Sequence, residues 1–183
     1  MKKLSVKSIV AIGIGAALFF VLGRFVAIPS GVPDTNISIQ YGVLAFISAV
    51  FGIIPGILTG LIGHFFIDFS WGWGVWWSWV IASACFGGLV GIMAKKFKIE
   101  DGEFAKKDIL IFNLTQIVAH LLAWVVIAPV LDIVMYAEPA NKVFLQGLVS
   151  AGINIVATAI IGTILCVAYA AAIPKKGSLK EEE

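Results

Sequence analysis

Apolar runs alternate with short polar segments along the whole chain, and that alternation predicts helices that cross a membrane. The runs fall at about 8–26, 38–51, 57–69, 76–94, 109–127 and 143–172. The breaks between them differ in kind. Residues 27–40 carry Pro29, Gly31, Pro33, Asp34, Asn36 and Gln40, which predicts a loop long enough to act as a lid. Phe51-Gly-Ile-Ile-Pro-Gly56 reads as a tight turn without charge, and 95–108 is the most polar internal segment. A second irregular stretch is expected over 128–142, with Pro129, Asp132, Glu138, Pro139 and Asn141. The sixth run is longer than a bilayer needs and should tilt or protrude. The expected architecture is an all-α integral membrane protein, one membrane domain over residues 1–183 built as a bundle of six transmembrane helices.

Composition agrees with this. The chain is 60% hydrophobic and 13% charged, with a mean hydropathy of +1.01. A soluble fold of this size could not hide so much apolar surface. Charge then sets the orientation. If both termini are cytoplasmic, Lys2, Lys3, Lys7, Lys95, Lys96, Lys98, Lys106, Lys107, Lys175, Lys176 and Lys180 lie inside, and only Arg24 and Lys142 lie outside. That bias follows the positive-inside rule. It makes 173–183 a charged, disordered cytoplasmic tail and puts Asp34, Asp68, Asp132 and Glu138 at the outer end. Lys2, Lys3 and Lys7 before an apolar run look like a signal peptide, but no convincing cleavage site follows, so a retained first span is expected. No basic patch is interleaved with groups that read bases, which argues against a nucleic-acid partner. Cys85 and Cys166 sit in apolar runs and read as small buried fillers.

Polar chemistry collects in the predicted outer half. Residues 63–80 hold five of the six tryptophans, Trp71, Trp73, Trp76, Trp77 and Trp79, beside His64 and Asp68. Indoles cluster at membrane interfaces, and they also wall sites for flat ligands. Trp71 and Trp73 read as anchors and Trp76 or Trp77 as a pocket wall. His64 and Asp68 are spaced i, i+4 and share a helix face. Asn113, Gln116 and His120 follow at i, i+3, i+7, with Trp124 one turn further out; Ser150 and Asn154 repeat the i, i+4 relation. Such groups either join helices by hydrogen bonds or line a cavity. Their bias toward one end favours a cavity for the set. Catalysis has thin support: His64 and Asp68 with Ser78 or Ser150 make a triad only by assumption, and two separated histidines make no metal site. No G-x-x-x-x-G-K-[ST] loop exists, so any ATP hydrolysis must come from another subunit. On the first span Ala11 and Gly15, and Gly13 and Ala17, recur at four-residue spacing, as faces for close helix approach do.

Several long stretches resemble the substrate-binding S components of energy-coupling factor (ECF) transporters, the vitamin-uptake branch of ABC transporters. They are Gly13-Ile-Gly-Ala-Ala-Leu-Phe-Phe-Val-Leu-Gly-Arg24, Phe51-Gly-Ile-Ile-Pro-Gly56, Leu61-Ile-Gly-His64 and Trp76-Trp-Ser-Trp-Val80. Ala128-Pro-Val-Leu-Asp-Ile-Val-Met-Tyr-Ala-Glu-Pro-Ala-Asn-Lys-Val-Phe144 and Lys176-Gly-Ser-Leu179 complete the likeness, which covers almost the whole chain. Within that group it is similar to the riboflavin-type subgroup, long held as an uncharacterised family. The resemblance implies a multi-pass protein of a prokaryotic cell membrane, with no catalysis, cofactor or metal of its own. It would bind a micronutrient from outside, dock on a membrane coupling subunit bound to two cytoplasmic ATPase subunits, and tip to release its substrate. The family's A-x-x-x-A docking pattern maps to Gly13–Ala17 or Ala11–Gly15 here. The expected substrate site comprises Asn36, Gln40, His64, Asp68, Trp76, Trp77, Asn113, Gln116, His120 and Asn154. A flavin is the first expectation, with cobalamin or another vitamin precursor as the alternative. A stand-alone carrier or channel, or a membrane enzyme, are the rivals.

Overall fold

The computed structural model describes residues 4–72 and 74–173; Trp73, Lys2, Lys3 and the tail with Lys175, Lys176 and Lys180 lie outside the described residues. Helix α1 spans Val6–Phe25, and its start is fixed by Ser5, whose hydroxyl accepts the Ser8 N–H at 3.1 Å. A short hairpin follows, β1 (Ile28–Pro29) antiparallel to β2 (Asn36–Ile37), with Ile28 opposite Ile37. Helix α2 covers Gln40–Phe51, α3 Ile53–Trp71 and α4 Trp77–Gly91. Two single turns, Ala94–Lys96 and Ile99–Asp101, lead to α5, Lys106–Tyr136, and then α6, Ala140–Ala172.

Five of these helices are long and apolar enough to cross a membrane, α4 by way of its extension to Lys96. Helix α2 has twelve residues. At 1.5 Å per residue it is about 18 Å long, against a hydrocarbon layer of about 30 Å. It is buried along nearly its whole length, because α1, α3, α4 and α6 surround it. Elsewhere the outward faces are greasy: Val6 is 78% exposed and Val134 76%. A surface of this kind belongs in lipid.

Three local features differ from the sequence expectation. The break between the second and third runs is a single residue, Gly52, at φ 93°. That left-handed conformation suits glycine, and α3 starts directly after it at Ile53, four residues earlier than expected. Pro55 falls in the first turn of α3, where a missing N–H costs nothing. The stretch 128–142 is also not irregular throughout. Helix α5 continues through Ala128–Tyr136, because a π-helical segment at Leu121–Ile127 widens the turn ahead of Pro129 and makes room for its ring. The chain turns only at Ala137, at φ 55°, followed by Pro139.

Glycines set the closest helix approach. A Cβ on Gly87 of α4 would overlap the Gly56 carbonyl of α3, and the reverse holds for Gly56 against Gly87. We expect Gly87→Leu to lower stability in detergent by more than the ~1–3 kcal/mol typical of overpacking, since it meets backbone rather than a movable side chain. A thermal unfolding curve matching wild type would contradict that packing.

The two ends of the bundle carry different chemistry. Lys7 pairs with Glu100 at 2.7 Å, so the start of α1 and the polar 94–108 segment share one end. The hairpin, Trp71, Trp76, Glu138 and Lys142 gather at the other, where Arg24 lies 3.9 Å over the Trp71 ring.

Candidate functional site

Two adjoining cavities open at the hairpin end. The larger, about 260 Å³, is lined by Asp34, His64, Asp68, Trp76, Trp79, Asp132, Glu138, Lys142 and Gln146. The smaller, about 140 Å³, shares Asp34, His64, Asp68 and Trp79 and adds, among others, Asn36, Gln40, Tyr41, Trp124, Ser150 and Asn154.

The aromatic wall of the larger cavity is built around Asp132 of α5. This carboxylate is 2% exposed and accepts the indole N–H of Trp76 at 2.6 Å, the indole N–H of Trp79 at 2.7 Å, and the Ser78 hydroxyl. Two rings are thereby locked in place. Trp76 stacks on Tyr136 at 4.5 Å between centroids, and Trp79 stacks on Trp124 at 5.5 Å. A buried carboxylate needs several donors to be tolerable, and here those donors are the aromatic wall itself.

Helix α3 supplies the floor. The i, i+4 spacing brings His64 Nε2 to 3.5 Å from Asp68 Oδ1. The other Asp68 oxygen accepts the Trp76 backbone N–H at 2.9 Å and so caps the start of α4. His64 Nδ1 lies 2.5 Å from the Ser83 hydroxyl, which is 3.0 Å from the Tyr41 hydroxyl. Serine, histidine and aspartate in this order invite comparison with a nucleophile triad. Ser83 is wholly buried and held by Tyr41, however, so no substrate carbonyl reaches it. Among the described residues no three His, Cys, Asp or Glu side chains converge as a metal site.

The hairpin closes the top. Gln146 of α6 donates to the Pro33 carbonyl at 2.9 Å, and Lys142 lies 3.7 Å from Asp34 and 3.0 Å from Glu138.

Of the residues singled out from sequence, Asn36, Gln40, His64, Asp68, Trp76 and Asn154 line one or both cavities. Trp77, Asn113, Gln116 and His120 line neither. The Trp77 ring points outward, 42% exposed, beside Phe65, although its backbone N–H donates to the Tyr136 hydroxyl at 3.0 Å. Asn113 donates to Thr163 Oγ1 at 3.0 Å, and Gln116 donates to the Ile155 carbonyl at 3.3 Å. Both join α5 to α6, as amides inside membrane bundles do. His120 is buried between Phe86, stacked at 4.0 Å, and Thr158 at 3.0 Å. Because an indole only donates, its bond from Trp124 at 2.9 Å makes His120 Nδ1 an acceptor and leaves Nε2–H for Thr158. The histidine thus supports Trp124 from behind. Asp132 and Trp79 were not among the sequence candidates; Pro129 hid the helix that carries the first, and the interfacial setting masked the second.

The four small residues of α1 divide between two faces. Ala11 and Gly15 turn inward, and a Cβ on Gly15 would sit 2.9 Å from Ile47 and 3.1 Å from Thr59. Gly13 and Ala17 turn outward among Ile9, Val10, Ile14 and Val21, with nothing within 4 Å of a Cβ on Gly13.

The cavities at one end of this helical membrane bundle combine stacked indoles with polar groups, the lining of a small-molecule binding protein. More particularly, the chain belongs to the family described as ECF-type riboflavin transporter, S component, which matches residues 3–171. Proteins of Staphylococcus aureus strains MSSA476 and Newman, both called UPF0397 protein, are 53% identical over 184 residues and are covered in full, as is this chain. Among solved structures, the S-component for biotin from an ECF-type ABC transporter shares the fold, with a TM-score of 0.65 at 14% identity over 88% of this chain and 89% of that one. The chain is therefore a bacterial membrane protein of the vitamin-uptake S components, whose role is substrate binding and whose partners are the membrane and ATPase subunits of an ECF module.

Proposed function

We propose that this chain binds a flavin, riboflavin or a close relative, in the cavity at the hairpin end and carries it across the cell membrane. The observation that supports this most is the aromatic wall: two indoles fixed edge-on by one carboxylate, with Asn36, Gln40 and Asn154 amides close by. Planar rings stack on such walls while amides read their edges. With both termini cytoplasmic, the lysine-rich end faces inward and the cavity opens outward. The coupling partner would be one membrane subunit carrying two ATPases, seated on the α1 face that presents Gly13 and Ala17.

Cobalamin is the second reading. A ligand that large exceeds the roughly 300–1,000 Å³ of ordinary small-molecule sites and would need the hairpin displaced. The contacts that hold the hairpin to α6, Gln146 to Pro33 and Lys142 to Asp34, are few enough to open.

The test is binding by purified protein to a panel of B vitamins, read by tryptophan quenching and by mass spectrometry of ligand retained through purification. Riboflavin is expected to quench and to be retained. A different vitamin retained in its place would replace the flavin assignment. ATP-independent uptake by the chain alone would instead favour a stand-alone carrier or channel.

A further inference from the structure

The indoles at the cavity end are restrained in different ways. Trp76 has the Asp132 carboxylate at its N–H and the Tyr136 ring against its face. Trp79 lines both cavities, and Asp132 accepts its N–H at 2.7 Å. A single hydrogen bond fixes one atom of a ring and leaves its plane free to rock. The second restraint on Trp79 is Trp124, stacked on it at 5.5 Å with 19° between the planes. Trp124 is 1% exposed, so it meets a ligand through the ring it backs.

Trp124 sits in the π-helical segment Leu121–Ile127, a geometry found mostly as widened turns at functional sites. Its backbone is pinned, because a Cβ on Gly147 of α6 would overlap the Trp124 carbonyl. Its side chain depends on His120, the residue just before the π-helical segment, whose Nδ1 accepts the indole N–H at 2.9 Å. The imidazole is held in turn from three other helices. Phe86 of α4 stacks on it at 4.0 Å, Tyr41 of α2 meets it edge-on at 5.8 Å, and Nε2 lies 3.0 Å from Thr158 of α6.

We propose that His120 is a positioning residue for substrate binding. It sets the plane of Trp124 and, through that ring, the plane of Trp79 at the cavity. His120 itself lines neither cavity, so it acts only through the two indoles. Its Nδ1 bond couples the aromatic wall to the core formed by α2, α4 and α6. A histidine that merely joined helices, as Asn113 and Gln116 do, would need only the Thr158 bond. The inference rests on the reading above for where the substrate binds, and is independent of which vitamin enters.

Two substitutions separate the two bonds of the imidazole. The carbonyl oxygen of an asparagine stands where Nδ1 does, so His120→Asn keeps an acceptor for Trp124 and gives up Thr158. A glutamine amide reaches the Nε2 position, so His120→Gln keeps Thr158 and gives up Trp124. Both are expected to lower thermal stability, and only the second to loosen the wall.

The first readout is magnetic resonance of nitrogen-labelled indoles in the full chain in lipid nanodiscs. Trp124→Phe and Trp79→Phe identify the two N–H signals. In His120→Gln the Trp124 signal should move upfield, as loss of a hydrogen bond requires, and the Trp79 signal should shift with it. His120→Asn should restore both toward their wild-type positions. An unmoved Trp124 or Trp79 signal in His120→Gln would overturn the proposal.

The second readout is the Kd for riboflavin. A buried indole N–H left unpaired is expected to weaken binding at least about fivefold in His120→Gln, and His120→Asn should rescue it to within about twofold of wild type. Equal losses, or the reverse order, would overturn the proposal. Trp124→Phe keeps a ring without the N–H, and adding His120→Gln to it should cost less than about twofold further. Additive losses would count against the coupling just as decisively. If wild type binds no riboflavin, the flavin reading fails, and the indole signals still decide whether His120 holds the wall.

Discussion

Asp132→Ala is expected to abolish ligand binding while the helical bundle persists. The carboxylate holds Trp76, Trp79 and Ser78, and the hydrogen bonds it accepts are charge-assisted. Each such bond contributes about 1.5–3 kcal/mol, and its loss leaves two indole N–H groups unpaired at the cavity wall. Even half of the total for the three bonds, spent on freeing the rings, would raise Kd by about fortyfold or more. Asp132→Asn is the informative partner. Its amide oxygen can still accept one indole, but its NH₂ faces the other donor, so an intermediate loss of about tenfold is expected. Binding is read by quenching with the ligand retained by wild type, and helical content by circular dichroism. Wild-type affinity in Asp132→Ala would show that the wall does not touch the substrate.

The second large effect is expected on assembly. Gly13→Leu and Ala17→Leu place bulk on the outward face of α1, where nothing in the chain itself opposes it. Each should prevent co-purification with the coupling subunit and cut ATP-driven uptake by at least about tenfold, since close helix approach in lipid depends on small residues. Substrate affinity of the isolated chain should stay within about twofold of wild type. Gly15→Leu serves as the contrast. Its side chain would meet Ile47 and Thr59, so it should lower the stability of the chain itself. Normal assembly of both outward variants would remove the face from the docking site.

Much of this was legible in the sequence because membrane spans announce themselves. Hydropathy marks where helices run, and the i, i+4 spacing of His64 and Asp68 already places both on one face of α3. What hydropathy cannot rank is depth and facing. Asn113, Gln116, His120 and Asn154 all read as polar groups toward one end, yet only Asn154 reaches a cavity. The other three bond across to α6 or brace Trp124. The four small residues of α1 illustrate the same point, since spacing alone fits both registers and only packing separates Gly13 and Ala17 from Ala11 and Gly15.

Asp132 was hidden for a different reason. Proline usually ends a helix, so 128–142 reads as irregular, and a carboxylate there reads as solvated. A π-helical segment is a tertiary accommodation with no simple sequence signature. By continuing α5 past Pro129 it delivers Asp132 to the tryptophans of α4. Trp79 gains its role only through that delivery. Its neighbours Trp71 and Trp77 are more exposed, as interfacial rings are.

This chain is expected to bind its substrate alone and to move it only with partners. Reconstituting the purified chain in proteoliposomes, with and without a coupling subunit and its two ATPases, tests that directly with radiolabelled riboflavin. Saturable binding is expected from the chain alone, and uptake only when the complete module and ATP are present. Accumulation of riboflavin by the chain alone, without ATP or the module, would contradict it.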